Sequence, residues 1–198
     1  MASRQSYELV DLFKRLSGAI AANPNMSLGE MRAVFEHVGD ASAEPRGVDY
    51  IEVDAAGVPA MWAVPKNCAE DRVVLCAHGG GYISGSMYSH RKMYAHYAKK
   101  IGCRALIVNY RLAPENRHPA PVNEMVKAYR WLLDQGITAN HLAIAGDSQM
   151  RFRNLRISLR RGPSCRIIRR ERVKLHLRFW RQADRLGLTR EISSDLPH

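Results

Sequence analysis

Two short stretches of this 198-residue chain carry residue types that could do chemistry together. The first is His78–Gly79–Gly80–Gly81–Tyr82, which follows the apolar run Val73–Val74–Leu75–Cys76–Ala77. Consecutive glycines weaken both helix and strand, so their use here is to bring bare backbone N–H groups close to a group that needs them. Negative charge is what needs them. The second stretch is Gly146–Asp147–Ser148, where the apolar run Leu142–Ala143–Ile144–Ala145 ends and Ser148 lies 67 residues beyond Gly81. A glycine and then a serine at a strand end form the first half of a Gly-x-Ser-x-Gly turn, which lifts a nucleophilic hydroxyl above a sheet edge, and an HGGG-type loop supplies the amides that face it. The chemistry of such a pair is acyl transfer. When the hydroxyl attacks a carbonyl carbon, the oxygen takes on negative charge, and one fixed N–H donor stabilises that charge by ~2.7–4 kcal/mol.

The remaining parts of such a site are harder to find. A serine hydroxyl at neutral pH is a poor nucleophile and needs an adjacent base. Beyond Ser148 the chain offers few candidates for a base and an orienting carboxylate. The residues available there are His176 and His198, with Glu171, Asp184, Glu191 and Asp195. None of them closes a recognisable strand. Met150 stands where the turn would have its second glycine, a place with little room for a side chain. His90, His96, His118 and His141 read as helix-face or loop residues with no motif around them.

The segments His78–Gly79–Gly80–Gly81–Tyr82, Tyr110–Arg111–Leu112–Ala113–Pro114–Glu115 and Gly146–Asp147–Ser148 resemble, in order and spacing, the hormone-sensitive-lipase family of α/β-hydrolases. The resemblance covers residues 1–148 and stops at Gln149, because the family continues Ala-Gly-Gly where this chain reads Gln149–Met150–Arg151. It implies an α/β fold: a partial α/β-hydrolase, mostly parallel sheet with flanking helices and cap helices within residues 1–45. It also implies Ser148 as the nucleophile, with the N–H groups of Gly80, Gly81 and Gln149 as the oxyanion hole. His78, Gly79, Tyr82, Gly146 and Asp147 would support these motifs, His78 as part of the oxyanion loop and not as the base. The substrate implied is a small carboxylic ester of short to medium acyl chain, hydrolysed without cofactor or metal. With no acid and histidine recognisable downstream, the hydrolase is expected to be truncated and impaired.

Several elements must position these residues. Leu9, Leu12, Phe13, Leu16, Ala19 and Ile20 recur at three- and four-residue spacing, which predicts an amphipathic helix over Tyr7–Ala22. Ser27 and Glu30 form a capping-box pattern ahead of a second helix carrying Leu28, Met31, Val34, Phe35 and Val38. Two amphipathic helices before any strand either cap the site, as the resemblance implies, or pack on the sheet. Val48–Val53 and Val58–Val64 read as a hairpin turning at Ala55–Ala56–Gly57. Strands at Val73–Ala77, Ala105–Val108 and Leu142–Ala145 then alternate with helices at Tyr88–Ile101 and Val122–Leu133, the signature of a parallel sheet with right-handed crossovers.

Composition divides the chain at the same place as the motifs. Residues 1–148 hold 16 Lys and Arg against 15 Asp and Glu, whereas residues 149–198 hold 14 against 4, so +10 of the net +11 lies in the last 50 residues. Thirteen of those fourteen cations are arginine. Two origins stay open for such a tail: an out-of-frame reading of a GC-rich gene, or an arginine-rich arm. An arm would make the alternative function non-enzymatic binding of nucleic acid or another polyanion through residues 149–198. Against it, Phe152, Phe179 and Trp180 are a thin set of aromatics for base stacking. Cys68, Cys76, Cys103 and Cys165 have no metal-like spacing, and no apolar window approaches a membrane span, so a soluble, non-exported, cytoplasmic protein is expected. The sequence is silent on oligomeric state.

Overall fold

The computed structural model describes residues 4–147, so the expectations for Ser148, Gln149 and the arginine-rich segment lie outside the described residues. Within them the element order is α1 (Arg4–Ala22), α2 (Leu28–Glu36), β1 (Val48–Asp54), β2 (Pro59–Pro65), β3 (Ala69–Ala77), α3 (Met87–Ile101), β4 (Cys103–Val108), α4 (Ala120–Asp134) and β5 (Leu142–Gly146). Five strands form one sheet in the order β1-β2-β4-β3-β5. The three predicted crossover strands run parallel, β4 and β5 flanking β3. The hairpin extends the sheet antiparallel through β2 against β4. Its turn places Ala56 at φ +59° and Gly57 at φ +81°, closed by Ala55 N–H to the Val58 carbonyl at 2.8 Å. Positive φ at both central residues suits the right-handed twist of the flanking strands.

The continuous apolar runs of β3 and β4 follow from burial on both faces. Val73, Leu75 and Ala77 of β3, with Leu106 and Val108 of β4, pack beneath α4 against Met125, Ala128 and Leu132. Their neighbours Val74, Cys76, Ala105 and Ile107 point the other way, into Tyr94, Ala95 and Ala98 of α3. A one-residue slip would exchange the two sets, so register is strongly specified here. β3 begins four residues before the predicted strand, because its early half, Ala69–Arg72, is partly exposed and carries Glu70, Asp71 and Arg72. An apolar run reveals only the buried half of such a strand.

The N-terminal helices bury their apolar stripes elsewhere. Ile20 of α1 and Met31 of α2 cluster with Ile83 and Ala113, which belong to the segments after the glycine loop and within Tyr110–Glu115. The predicted capping box forms, the Ser27 hydroxyl accepting from Glu30 N–H at 3.3 Å and the Glu30 carboxylate accepting from Ser27 N–H at 2.8 Å. No helix among the described residues is long and apolar enough to cross a membrane.

Candidate active site

β3 and β5 are parallel neighbours, and their last residues, Ala77 and Gly146, are register partners. The glycine loop and the Asp147 turn therefore leave the same edge of the sheet side by side. The Asp147 N–H donates to the Ala77 carbonyl at 3.2 Å. Gly79 lies so close to Asp147 that an added Cβ would sit 3.1 Å from Asp147 Oδ2 and 3.3 Å from its carbonyl oxygen. The two motifs, far apart in sequence, thus touch.

The loop between them has an unusual backbone. Gly80, Gly81 and Tyr82 take φ values of +119°, +69° and +63° in succession. At Gly80 a side chain has no place at all, since a Cβ would fall 2.1 Å from the Ser84 carbonyl oxygen. The Gly80 carbonyl accepts from Ile83 N–H at 3.2 Å, Ser84 N–H at 3.0 Å and the Ser84 hydroxyl at 2.9 Å. The Gly80 carbonyl is thereby turned into this tight turn. Among the described residues the N–H groups of Gly80 and Gly81 have no hydrogen-bond acceptor.

Side chains brace this loop from behind. His78 is fully buried and stacks on Tyr110, with ring centroids 4.0 Å apart and planes within 8°. Its Nδ1–H donates to the Gly79 carbonyl at 2.9 Å. Burial pushes the imidazole pKa down to about 3, outweighing the bond to Gly79, which acts the other way. His78 is therefore a neutral bracket within the loop. The Tyr94 hydroxyl donates to the Ala77 carbonyl at 2.5 Å and the Tyr110 hydroxyl to the His78 carbonyl at 2.7 Å. Burial raises both phenols far above their ordinary pKa, which keeps them protonated as donors. The Tyr110–Glu115 motif gains a physical reason from this. Tyr110 holds the start of the loop, and Ala113 N–H donates to the Tyr82 carbonyl at 2.8 Å to hold its end.

His90 is the residue that sequence reasoning missed. It lies in the buried stripe Met87, His90, Tyr94 and Ala98 of α3, and it accepts the Gly79 N–H on Nε2 at 3.0 Å. The same nitrogen stands 3.4 Å from Asp147 Oδ2. The available signal was a polar residue at a core position of an otherwise apolar helical face, where burial requires a partner.

A cleft of about 820 Å³ lies to one side, lined among others by Arg32, Glu36, Ser86, Arg111 and Glu124. Four of its charges form two ion pairs, Arg32 with Glu115 and Arg111 with Glu124, and its lining does not include Gly80 or Gly81. The chemistry suggested by the motifs belongs at the sheet edge.

Residues 74–149 match the α/β-hydrolase-fold family. The chain is similar to an acetyl-hydrolase of Streptomyces hygroscopicus, 34% identical over 145 residues that make up 64% of this chain and 48% of the relative. An ethyl acetate hydrolase of Pseudomonas putida is 42% identical over 79 residues, 38% of this chain and 25% of the relative. A crystal structure of an esterase from the bacterial hormone-sensitive lipase family superposes with a TM-score of 0.66 at 38% identity, covering 75% of this chain and 49% of the esterase. The chain therefore spans less than half the length of each of these relatives. Through the stretch they share, with its HGGG loop braced against the Asp147 turn on a common sheet edge, the chain has an α/β-hydrolase fold and is similar to esterases of the hormone-sensitive-lipase type.

Proposed function

We propose that this protein is a serine hydrolase of carboxylic esters, with Ser148 as nucleophile and the N–H groups of Gly80, Gly81 and Gln149 as oxyanion hole. The observation that carries this is the contact between Gly79 and Asp147, one residue before Ser148, at 3.1 Å from a Cβ built on the glycine. That contact supports the reading, since Gly80 and Gly81 directly follow Gly79 and Ser148 directly follows Asp147. In the reaction, Ser148 Oγ would attack the ester carbonyl as its proton passes to a base. The carbonyl oxygen would gather charge against the loop amides, and the tetrahedral centre would then expel the alcohol and leave an acyl-enzyme for water to hydrolyse. The names of the acetyl-hydrolase and ethyl acetate hydrolase relatives support short acyl groups as the substrate class.

The division of labour along the chain follows the same reading. Residues 1–148 form the hydrolase part, with α1 and α2 as a cap supported by their packing on Ile83 and Ala113. The general base and its carboxylate belong after Ser148 by family order. The local sequence there offers His176 or His198 without a motif, so turnover is expected to be weak.

A p-nitrophenyl butyrate assay of the full chain tests the proposal. Turnover that Ser148→Ala abolishes supports it, and turnover that survives the substitution overturns the assignment. The charge asymmetry of the chain favours one other reading, a polyanion-binding tail at residues 149–198 with net charge +10. No turnover, combined with retention on duplex DNA that falls steeply with added salt, would replace the hydrolase by that reading.

A further inference from the structure

The hydrogen bonds around His90 determine which of its nitrogens carries the proton. The Gly79 N–H points at Nε2 from 3.0 Å, so Nε2 must offer a lone pair. The proton then sits on Nδ1, which faces the Ser89 hydroxyl oxygen at 2.9 Å. Ser89 can accept it because its own hydroxyl proton is directed to the Ser86 carbonyl at 3.0 Å. Ser89 Oγ also accepts from Ser86 N–H at 2.9 Å, so its bonding is complete. This chain of donors holds neutral His90 as an acceptor for the first amide of the glycine loop. Its position is rigid, because the ring is 2% exposed and lies 6.2 Å from Tyr94 and 5.8 Å from His78, centroid to centroid.

We propose that His90, in its neutral Nδ1–H form, is a positioning residue for the oxyanion loop. It clamps the Gly79 amide and so fixes the direction of the Gly80 and Gly81 N–H groups. The functional meaning rests on the ester-hydrolase reading, whereas the clamp itself does not require turnover.

Nuclear magnetic resonance on the 15N-labelled full chain reads the clamp directly. At neutral pH the His90 ring nitrogens should show a protonated Nδ1 and an unprotonated, hydrogen-bonded Nε2. His90→Leu removes the acceptor, and Gly79 amide exchange should quicken by about tenfold or more. His90→Gln, whose side-chain oxygen can reach the place of Nε2, should restore most of the protection. A protonated Nε2 at neutral pH overturns the proposal even if His90→Leu fails to fold. Where the wild type turns over ester, His90→Leu should lower kcat by about tenfold or more with little change in KM, with partial rescue in His90→Gln. Where it does not, the ester reading fails while the resonance measurements still decide the clamp.

Discussion

At the scale of single residues the site depends on atoms that are absent as much as on those present. Gly80 combines φ +119° with a neighbouring carbonyl oxygen 2.1 Å from where a Cβ would stand. Gly57, in the hairpin turn, has φ +81° and open space around it. Alanine at Gly57 therefore meets backbone strain alone, of about 1 kcal/mol, and alanine at Gly80 must also displace the Ser84 turn. Gly80→Ala is expected to lower stability by about 3 kcal/mol or more and to abolish any esterase activity, whereas Gly57→Ala lowers urea stability only slightly and leaves activity in place. Paired denaturation curves and p-nitrophenyl butyrate rates check this. Equal effects at the two positions would show that the close approach at Gly80 is unimportant. The glycines were legible in the sequence as a place where backbone must come near something. His90 was not, because a histidine on an apolar stripe does not announce which amide it will accept.

At the scale of elements, α2 is tied to the loops beside the site by Glu36, which accepts from the Ser86 hydroxyl at 2.7 Å, and above all by Arg32. Arg32 donates through Nε to the Ile83 carbonyl at 2.8 Å and through Nη2 to the Ala113 carbonyl at 2.9 Å. It also forks onto the Glu115 carboxylate at 2.8 and 2.6 Å. The hydrogen bonds from Arg32 hold the Glu115 carboxyl down to about 2. A guanidinium can satisfy two carbonyls and a carboxylate at once because its donors form a planar fork, which an ammonium cannot imitate. Arg32→Lys is thus expected to loosen α2 from the loop: backbone amides of Leu28–Glu36 should exchange about tenfold faster or more, while those of β3 and β4 stay protected. Unchanged exchange in α2 would mean that the apolar cluster of Ile20, Met31, Ile83 and Ala113 suffices. The periodicity of α1 and α2 predicts that they are helices with one apolar face. Where that face lands depends on loop residues that carry no helical or strand pattern.

At the scale of the whole molecule, stability should depend on pH through His78. Its imidazole has an ordinary pKa of 6.5 when exposed and is pushed down to about 3 when folded. The unfolded chain therefore binds more protons between these values, and folding stability is lost as pH falls across that window. The slope contributed by this one group approaches ~1.4 kcal/mol per pH unit in mid-window. Urea midpoints across the same range should fall more steeply for the wild type than for His78→Gln, which has no such titration. Parallel slopes would show that His78 is reached by water in the folded protein.

The sequence by itself determined the kinds of element, the strand–helix alternation, the hairpin turn and the three motifs, because these depend on residues near one another in the chain. Periodicity separates helix from strand, and glycine runs mark where the backbone must bend or approach. Only the tertiary structure decided that β5 lies beside β3 and not beside β4, and therefore that Asp147 lands against Gly79. It also decided that two tyrosines hold consecutive carbonyls at the end of β3 and that His90 holds the next amide along. Those contacts join residues that no local pattern connects. They depend on strand order and on burial, which favours partners across the sheet for the carbonyls and amides behind the loop.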